Sequence, residues 1–206
     1  MTSERQPRVR VAGVRYAIKA ALFALVLAHA APVAAQDFNA GVEAYQRGDY
    51  AAALREWRPL AEQGAAQAQH KLGLIYHRGV GGVPRDYAEA FKWYSKAVNQ
   101  GFAEAQTNIG IMYVLGQGVA QDNAEAARRF RMAAEQGVTV AQYLLGDMYE
   151  SGQGVPQSNV LAYVWWSLAA SQGHEDAASS RNRVAGMMTP EQITEAQKLA
   201  REWRPK

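Results

Sequence analysis

Apolar positions in the middle of the chain recur at helical spacing, and the whole pattern is then written twice more. In residues 68–79, AQHKLGLIYHRG, the positions Ala68, Leu72, Ile75 and Tyr76 fall on one face of a helix. A glycine-rich break follows, and then DYAEAFKWYSKAVNQG. The same order returns as AQTNIGIMYVLG with DNAEAARRFRMAAEQG, and again as AQYLLGDMYESG with SNVLAYVWWSLAASQG. The closing glycines Gly64, Gly101, Gly137 and Gly173 lie 37, 36 and 36 residues apart. Such a period marks a stacked array, in which each unit buries its apolar face on its neighbours. The pattern predicts an all-α fold, an α/α superhelical solenoid of helix-turn-helix repeats.

Each full repeat reads as a helix A, a loop and a helix B. Helix A carries a glycine in register, at Gly73, Gly110 and Gly146. A helical glycine costs about 1 kcal/mol relative to alanine, so three in register imply close approach of a neighbouring helix. Tyr76, Tyr113 and Tyr149 form one column, expected to bury the ring and hand the hydroxyl to a polar partner. Gly79, Gly116 and Gly152 suit left-handed caps at the end of helix A. Asp86, Asp122 and Ser158 suit N-caps of helix B. Helix B carries an alanine column, Ala90, Ala126 and Ala162. It also carries an aromatic one, Tyr94, Phe130 and Trp166, which Trp57 extends into the preceding unit. Small residues facing large ones are expected to interlock the helices.

The units predicted are a shorter hairpin over 36–64, three full repeats over 65–101, 102–137 and 138–173, and a C-terminal helical cap over 174–206. Within the cap, Thr189-Pro190-Glu191-Gln192 has capping-box spacing with proline at the first helical position. Ile193, Ala196, Ala200 and Trp203 continue it as an apolar stripe expected to cover the last repeat.

Charge and composition alter this picture at the N-terminus. The 206 residues have a formal net charge of +3, which suggests a nucleic-acid binder until its distribution is read. Residues 1–35 hold Arg5, Arg8, Arg10, Arg15 and Lys19 against Glu4, so the remainder carries 17 basic and 18 acidic side chains. A basic segment, the apolar run Ala20–Ala28 and a small-residue site with Val33 and Ala35 before Gln36 read as a signal peptide cleaved after Ala35. The run is far shorter than the roughly 20 residues that span a bilayer. A periplasmic or secreted mature protein of bacterial origin is expected, without stable membrane insertion and without nucleic acid as partner. There is no cysteine, which excludes disulfides, thiolate metal sites and a cysteine nucleophile.

The motifs A-Q-x-x-L-G-x-x-Y, G-x-G-V-(P) and A-x-x-Q-G resemble the Sel1-like repeat family, relatives of the tetratricopeptide repeats, over about Phe38 to Gly173. The period exceeds the 34 residues of the tetratricopeptide unit. Departures are modest: Arg129 stands where Trp93 and Trp165 do, and Ala120 replaces the loop proline. The resemblance implies a scaffold for protein complexes whose A helices line a concave face. Carrying over the tetratricopeptide register puts Gln67, His70, Leu74, His77 and Arg78 on that face in the first full repeat. Glu104, Thr107, Ile111, Val114 and Leu115 follow in the second, then Val140, Tyr143, Asp147, Glu150 and Ser151 in the third. The implied groove is basic or titratable at one end, apolar in the middle and acidic at the other. The expected partner is another envelope protein or peptide with an apolar anchor on Ile111, Val114 and Leu115.

Other signals are weaker. His70 and His77 share a helix face but have no accompanying carboxylate motif, so neither a metal nor another cofactor is expected. Trp93 with Tyr94 and Trp165 with Trp166 could offer a stacking platform for peptidoglycan, although one member of each pair is expected in the core and its neighbour half-buried. A cell-wall or β-lactam hydrolase is the enzymatic alternative. Proteins of related repeat type linked to that activity are cysteine-rich, however, and this chain has neither cysteine nor Ser-x-x-Lys. A non-catalytic adaptor is the favoured reading.

Overall fold

The alternation of apolar stripes and glycine breaks becomes ten helices among the described residues of a computed structural model, which are 37–205. The proposed signal peptide, residues 1–35, lies outside them. In chain order the helices are α1 (Phe38–Gln46), α2 (Tyr50–Glu62), α3 (Ala66–Arg78), α4 (Tyr87–Val98) and α5 (Ala103–Leu115). They continue with α6 (Asn123–Glu135), α7 (Thr139–Ser151), α8 (Asn159–Ser171), α9 (Glu175–Ala185) and α10 (Pro190–Glu202). Helices α3, α5 and α7 are the A helices of the full repeats, and α4, α6 and α8 are the B helices. Each helix packs on its neighbour in sequence from α1 to α9, and α10 turns back onto α8. The architecture is an all-helical solenoid.

Caps fix the ends of these helices. The side chains of Asp86, Asp122 and Ser158 accept from the backbone N–H of Glu89, Glu125 and Leu161 at the starts of α4, α6 and α8. Helices α3, α5 and α7 end at Gly79, Gly116 and Gly152 with φ of 68°, 65° and 70°. That left-handed geometry strains any residue with a Cβ. Thr189 and Gln192 close the capping box that starts α10.

The recurrent glycines of the A helices are explained by the aromatic column. A Cβ on Gly73 would lie 2.5 Å from the Tyr94 ring, one on Gly110 2.5 Å from Phe130, and one on Gly146 2.6 Å from Trp166. Gly41 in α1 stands over Trp57 in the same way. The aromatic rings therefore interlock with glycine, a closer fit than the alanine column alone would allow. All four rings are fully buried, and truncating such a residue costs about 3–5 kcal/mol.

A second column, buried glutamine, ties the first and third full repeats to the units before them. Gln69 donates to the carbonyl of Ala61 (3.0 Å) and Gln142 to that of Ala134 (3.2 Å), both near the end of the preceding B helix. Their own oxygens accept from Gln100 (2.8 Å) and Gln172 (2.7 Å). In the second repeat Arg129, which replaces a tryptophan, reaches Gln106 (3.3 Å) while held by Glu125. The tyrosine column follows the expected rule where an arginine is present. Arg58 donates to the Tyr76 hydroxyl (3.0 Å) and Arg131 to that of Tyr149 (2.5 Å). Ser95 stands at the equivalent position before Tyr113, which instead sets its ring edge-on to Phe91.

One expectation gains detail and one needs correction. The cap is a helical pair: α9 packs on α8, and α10 then covers α8 with Ala196 buried and Trp203 edge-on to Trp165. Both members of each aromatic pair, Trp93 with Tyr94 and Trp165 with Trp166, are buried. These rings fill the core and form no open stacking platform.

Candidate functional site

The face formed by the A helices is best described junction by junction, because equivalent positions are filled differently. His77, Val114 and Glu150 are equivalents one repeat apart, as are Leu74, Ile111, Asp147 and, in α9, Arg183.

At the first junction, α3 against α5, the polar groups are already engaged. His77 Nε2 is hydrogen-bonded to Gln117 Oε1 at 2.8 Å, and its ring lies beside Tyr87. The Asn108 amide donates to Nε2 of His70 at 2.8 Å, and the His70 ring lies against Phe102 and Tyr94. Burial, with a smaller push from Lys71, lowers the His70 pKa to about 4, so the ring is a neutral acceptor. Arg78 donates to the Tyr45 hydroxyl at 2.7 Å, tying α3 to the first hairpin. Leu74 is half-buried.

At the third junction, α7 against α9, Glu150 forms a two-point ion pair with Arg183. Tyr143 stacks on His174 with ring centres 4.2 Å apart. The expected acidic end thus loses one of its two negative charges, because the last helix pair supplies an arginine that no full repeat has at that position.

The middle junction, α5 against α7, has no such bridge. Val114 stands where His77 and Glu150 stand and cannot pair with Gln153, the equivalent of Gln117. A cavity of about 400 Å³ is left. Ile111, Val114 and Leu115 of α5 form one wall, Leu144, Asp147, Met148 and Ser151 of α7 the other. Phe130 of α6 lies at the back and Gln153 at the rim. Leu115 is 58% exposed at the edge of this cavity. Asp147 is the sole ionisable group among the lining residues. Its Oδ1 accepts from the Trp166 indole N–H at 3.1 Å. Burial pushes its carboxyl up to about 6; the Trp166 bond opposes this, Glu150 adds to it, and Arg183 and His174 pull against it.

The remaining predicted residues lie apart from this cavity. Gln67, His70 and Glu104 meet around a concavity of about 320 Å³ with Phe38, Lys71 and Phe102. Glu104 also borders an open cleft with Val140, at the N-terminal ends of α5 and α7. Thr107 is 5% exposed and offers a ligand nothing, since a short side chain at this position does not rise clear of the helix packing. Leu144, Met148, Phe130 and Gln153 complete the cavity without standing at any of the predicted groove positions. The recurring G-Q-G of the loop was the available signal for Gln153. Among the described residues no three His, Asp or Glu side chains are grouped to hold a metal ion, and no helix is long and apolar enough to cross a membrane.

Comparison with known proteins agrees with this architecture. The Sel1 repeat pattern matches residues 66–102, 103–138 and 139–174, together more than half of the chain. The crystal structure of a Sel1 repeat protein from Oxalobacter formigenes is similar, with 36% identity and a TM-score of 0.58. The match covers 63% of this chain and 97% of that one. A second similar structure is c5321, a protective antigen present in uropathogenic Escherichia coli strains and displaying an SLR fold. It is 28% identical with a TM-score of 0.50, over 81% of this chain and 44% of that protein. The chain thus spans less than half the length of c5321. No curated protein matches it.

Proposed function

Because the chain belongs to the Sel1 repeat family, a family of generally non-catalytic scaffolds that mediate protein–protein interactions, we propose that it is an exported adaptor. In this reading it seats a segment of another envelope protein on its A-helix face. The observation that carries the reading is the apolar cavity at the middle junction, where Ile111, Val114 and Leu115 meet Leu144 and Met148. Exposed apolar concavities with a few polar groups are the usual form of a peptide-anchoring site. The equivalent positions on either side are bridged by His77–Gln117 and Glu150–Arg183, which leaves the middle one of these three junctions open. Export rests on residues 1–35, and the mature chain is expected to begin at Gln36.

The test is co-purification from an envelope extract, with the wild-type chain beside a Leu115→Arg variant. Leu115 is the better position to alter, because Ile111 is half-buried and packs against the core. Circular dichroism checks that both remain helical. Capture by the wild type and loss from the variant supports the reading; equal capture by both refutes the cavity as anchor. Mass spectrometry of the periplasmic fraction tests export, and recovery of an intact residue 1 in the cytoplasm alone would refute it.

A further inference from the structure

The chemistry of the middle cavity narrows the occupant, resting on the proposal that a peptide segment binds there. Its walls are mostly apolar, with Ser151 and Gln153 as uncharged polar groups and Asp147, half-buried in α7, as the one ionisable group. One Asp147 oxygen is held by the Trp166 N–H. The charged and titratable neighbours leave its charge standing. On its own helix, Glu150 adds a second negative charge. On α9, Arg183 directs both terminal nitrogens of its guanidinium to Glu150, and His174 is stacked on Tyr143. Asp147, Glu150 and Arg183 thus sum to a single negative charge at one side of an apolar pocket. A carboxylate in such surroundings gains more from a cationic partner than an exposed one does, because water competes less for it. The equivalent positions Leu74 and Ile111 carry no charge, so the feature is specific to this junction.

We propose that the cavity recognises a peptide segment in which an aliphatic or aromatic side chain is closely followed or preceded by lysine or arginine. The apolar residue enters between Ile111, Leu115 and Met148, and the cation pairs with the open Asp147 oxygen. Gln153 at the rim supplies an amide donor and a carbonyl acceptor, suited to the backbone of an extended peptide.

The experiment selects a randomised, N-terminally blocked peptide library against the full chain and measures the affinity of enriched peptides by fluorescence anisotropy. The expected result is enrichment of an apolar residue beside Lys or Arg. Replacing that cation by norleucine should weaken binding about tenfold or more, and replacing it by glutamate should weaken it further. With Asp147→Asn the Lys and norleucine peptides should bind alike. Peptides that depend on Leu115 but show no cation preference would overturn this inference and leave the adaptor reading standing. Selection that yields no peptide sensitive to Leu115→Arg would overturn both. Changing the charge on the peptide keeps the test valid even if an Asp147 variant were to disturb the fold.

Discussion

Replacing Gly146 by alanine tests whether the scaffold and the cavity are built on the same contact. In an unencumbered helix this change stabilises by about 1 kcal/mol. Here the new Cβ would lie 2.6 Å from Trp166 Nε1 and 2.7 Å from Cδ1, and the indole is fully buried. Overpacking of this kind costs about 1–3 kcal/mol. The displaced indole also loses its N–H bond to Asp147, worth about 1.5–3 kcal/mol for a charged acceptor. The two costs exceed the helical gain, leaving a net destabilisation of about 1.5–5 kcal/mol. For a chain of this length each kcal/mol lowers Tm by about 2–4 °C, a total fall of about 3–20 °C. Thermal and urea melts followed by circular dichroism provide the measurement. A double-mutant cycle with Trp166→Leu should show a coupling of at least about 1 kcal/mol, since the smaller side chain relieves the contact. A Gly146→Ala protein as stable as the wild type, or more so, would refute the account of the glycine column.

Three further outcomes follow from buried polar groups. Asp147 titrates near 6 in the folded chain against an ordinary value of 3.8. Its ionisation therefore opposes folding above pH 6, and the penalty fades as the pH falls toward 4. Asp147→Asn should gain about 1 kcal/mol at neutral pH, after allowance for solvent screening, and melts repeated near pH 4 should show the gain gone. His70 has the opposite sign: with a folded pKa of about 4 against 6.5, its contribution is fully present above pH 6.5 and is lost as the pH falls through 4. His70→Gln should flatten that acid loss by up to about 3 kcal/mol in urea titrations across the window. Gln142→Leu strips the Ala134 carbonyl and the Gln172 amide of a partner. It should cost about 2–3 kcal/mol by the same urea assay, whereas a neutral result would show that the glutamine column does not join the repeats.

The periodic features were legible because they are local and repeated three times. Helix spans, caps at Asp86, Asp122 and Ser158, and glycine ends at Gly79, Gly116 and Gly152 each have a signature within a few residues. The reason for Gly73, Gly110 and Gly146 was legible only in outline. Identifying the partner as Tyr94, Phe130 or Trp166 requires knowing how α3 lies on α4. The buried glutamines were hidden in plain view, because polarity argues for the surface until a carbonyl partner is known. Ile111, Val114, Leu115, Asp147 and Ser151, which the register puts on the concave face, line the cavity. Their neighbours Leu144 and Met148 were not found that way, since they face across the junction from positions that the register assigns to packing. The expected charge gradient was altered by contacts distant in sequence: Arg183 lies 33 residues after its partner Glu150, and Tyr45 lies 33 residues before Arg78.

A photo-crosslinking amino acid at position 115 shows whether a partner sits at the middle junction. The full chain carrying it is expressed in bacterial cells, irradiated and examined by mass spectrometry. A parallel chain carries it at Met132, which is exposed on the B helix α6. The account predicts adducts from position 115 to an apolar residue neighbouring lysine or arginine in one partner, and none to that partner from position 132. Adducts to that partner from position 132 and none from position 115 would contradict it.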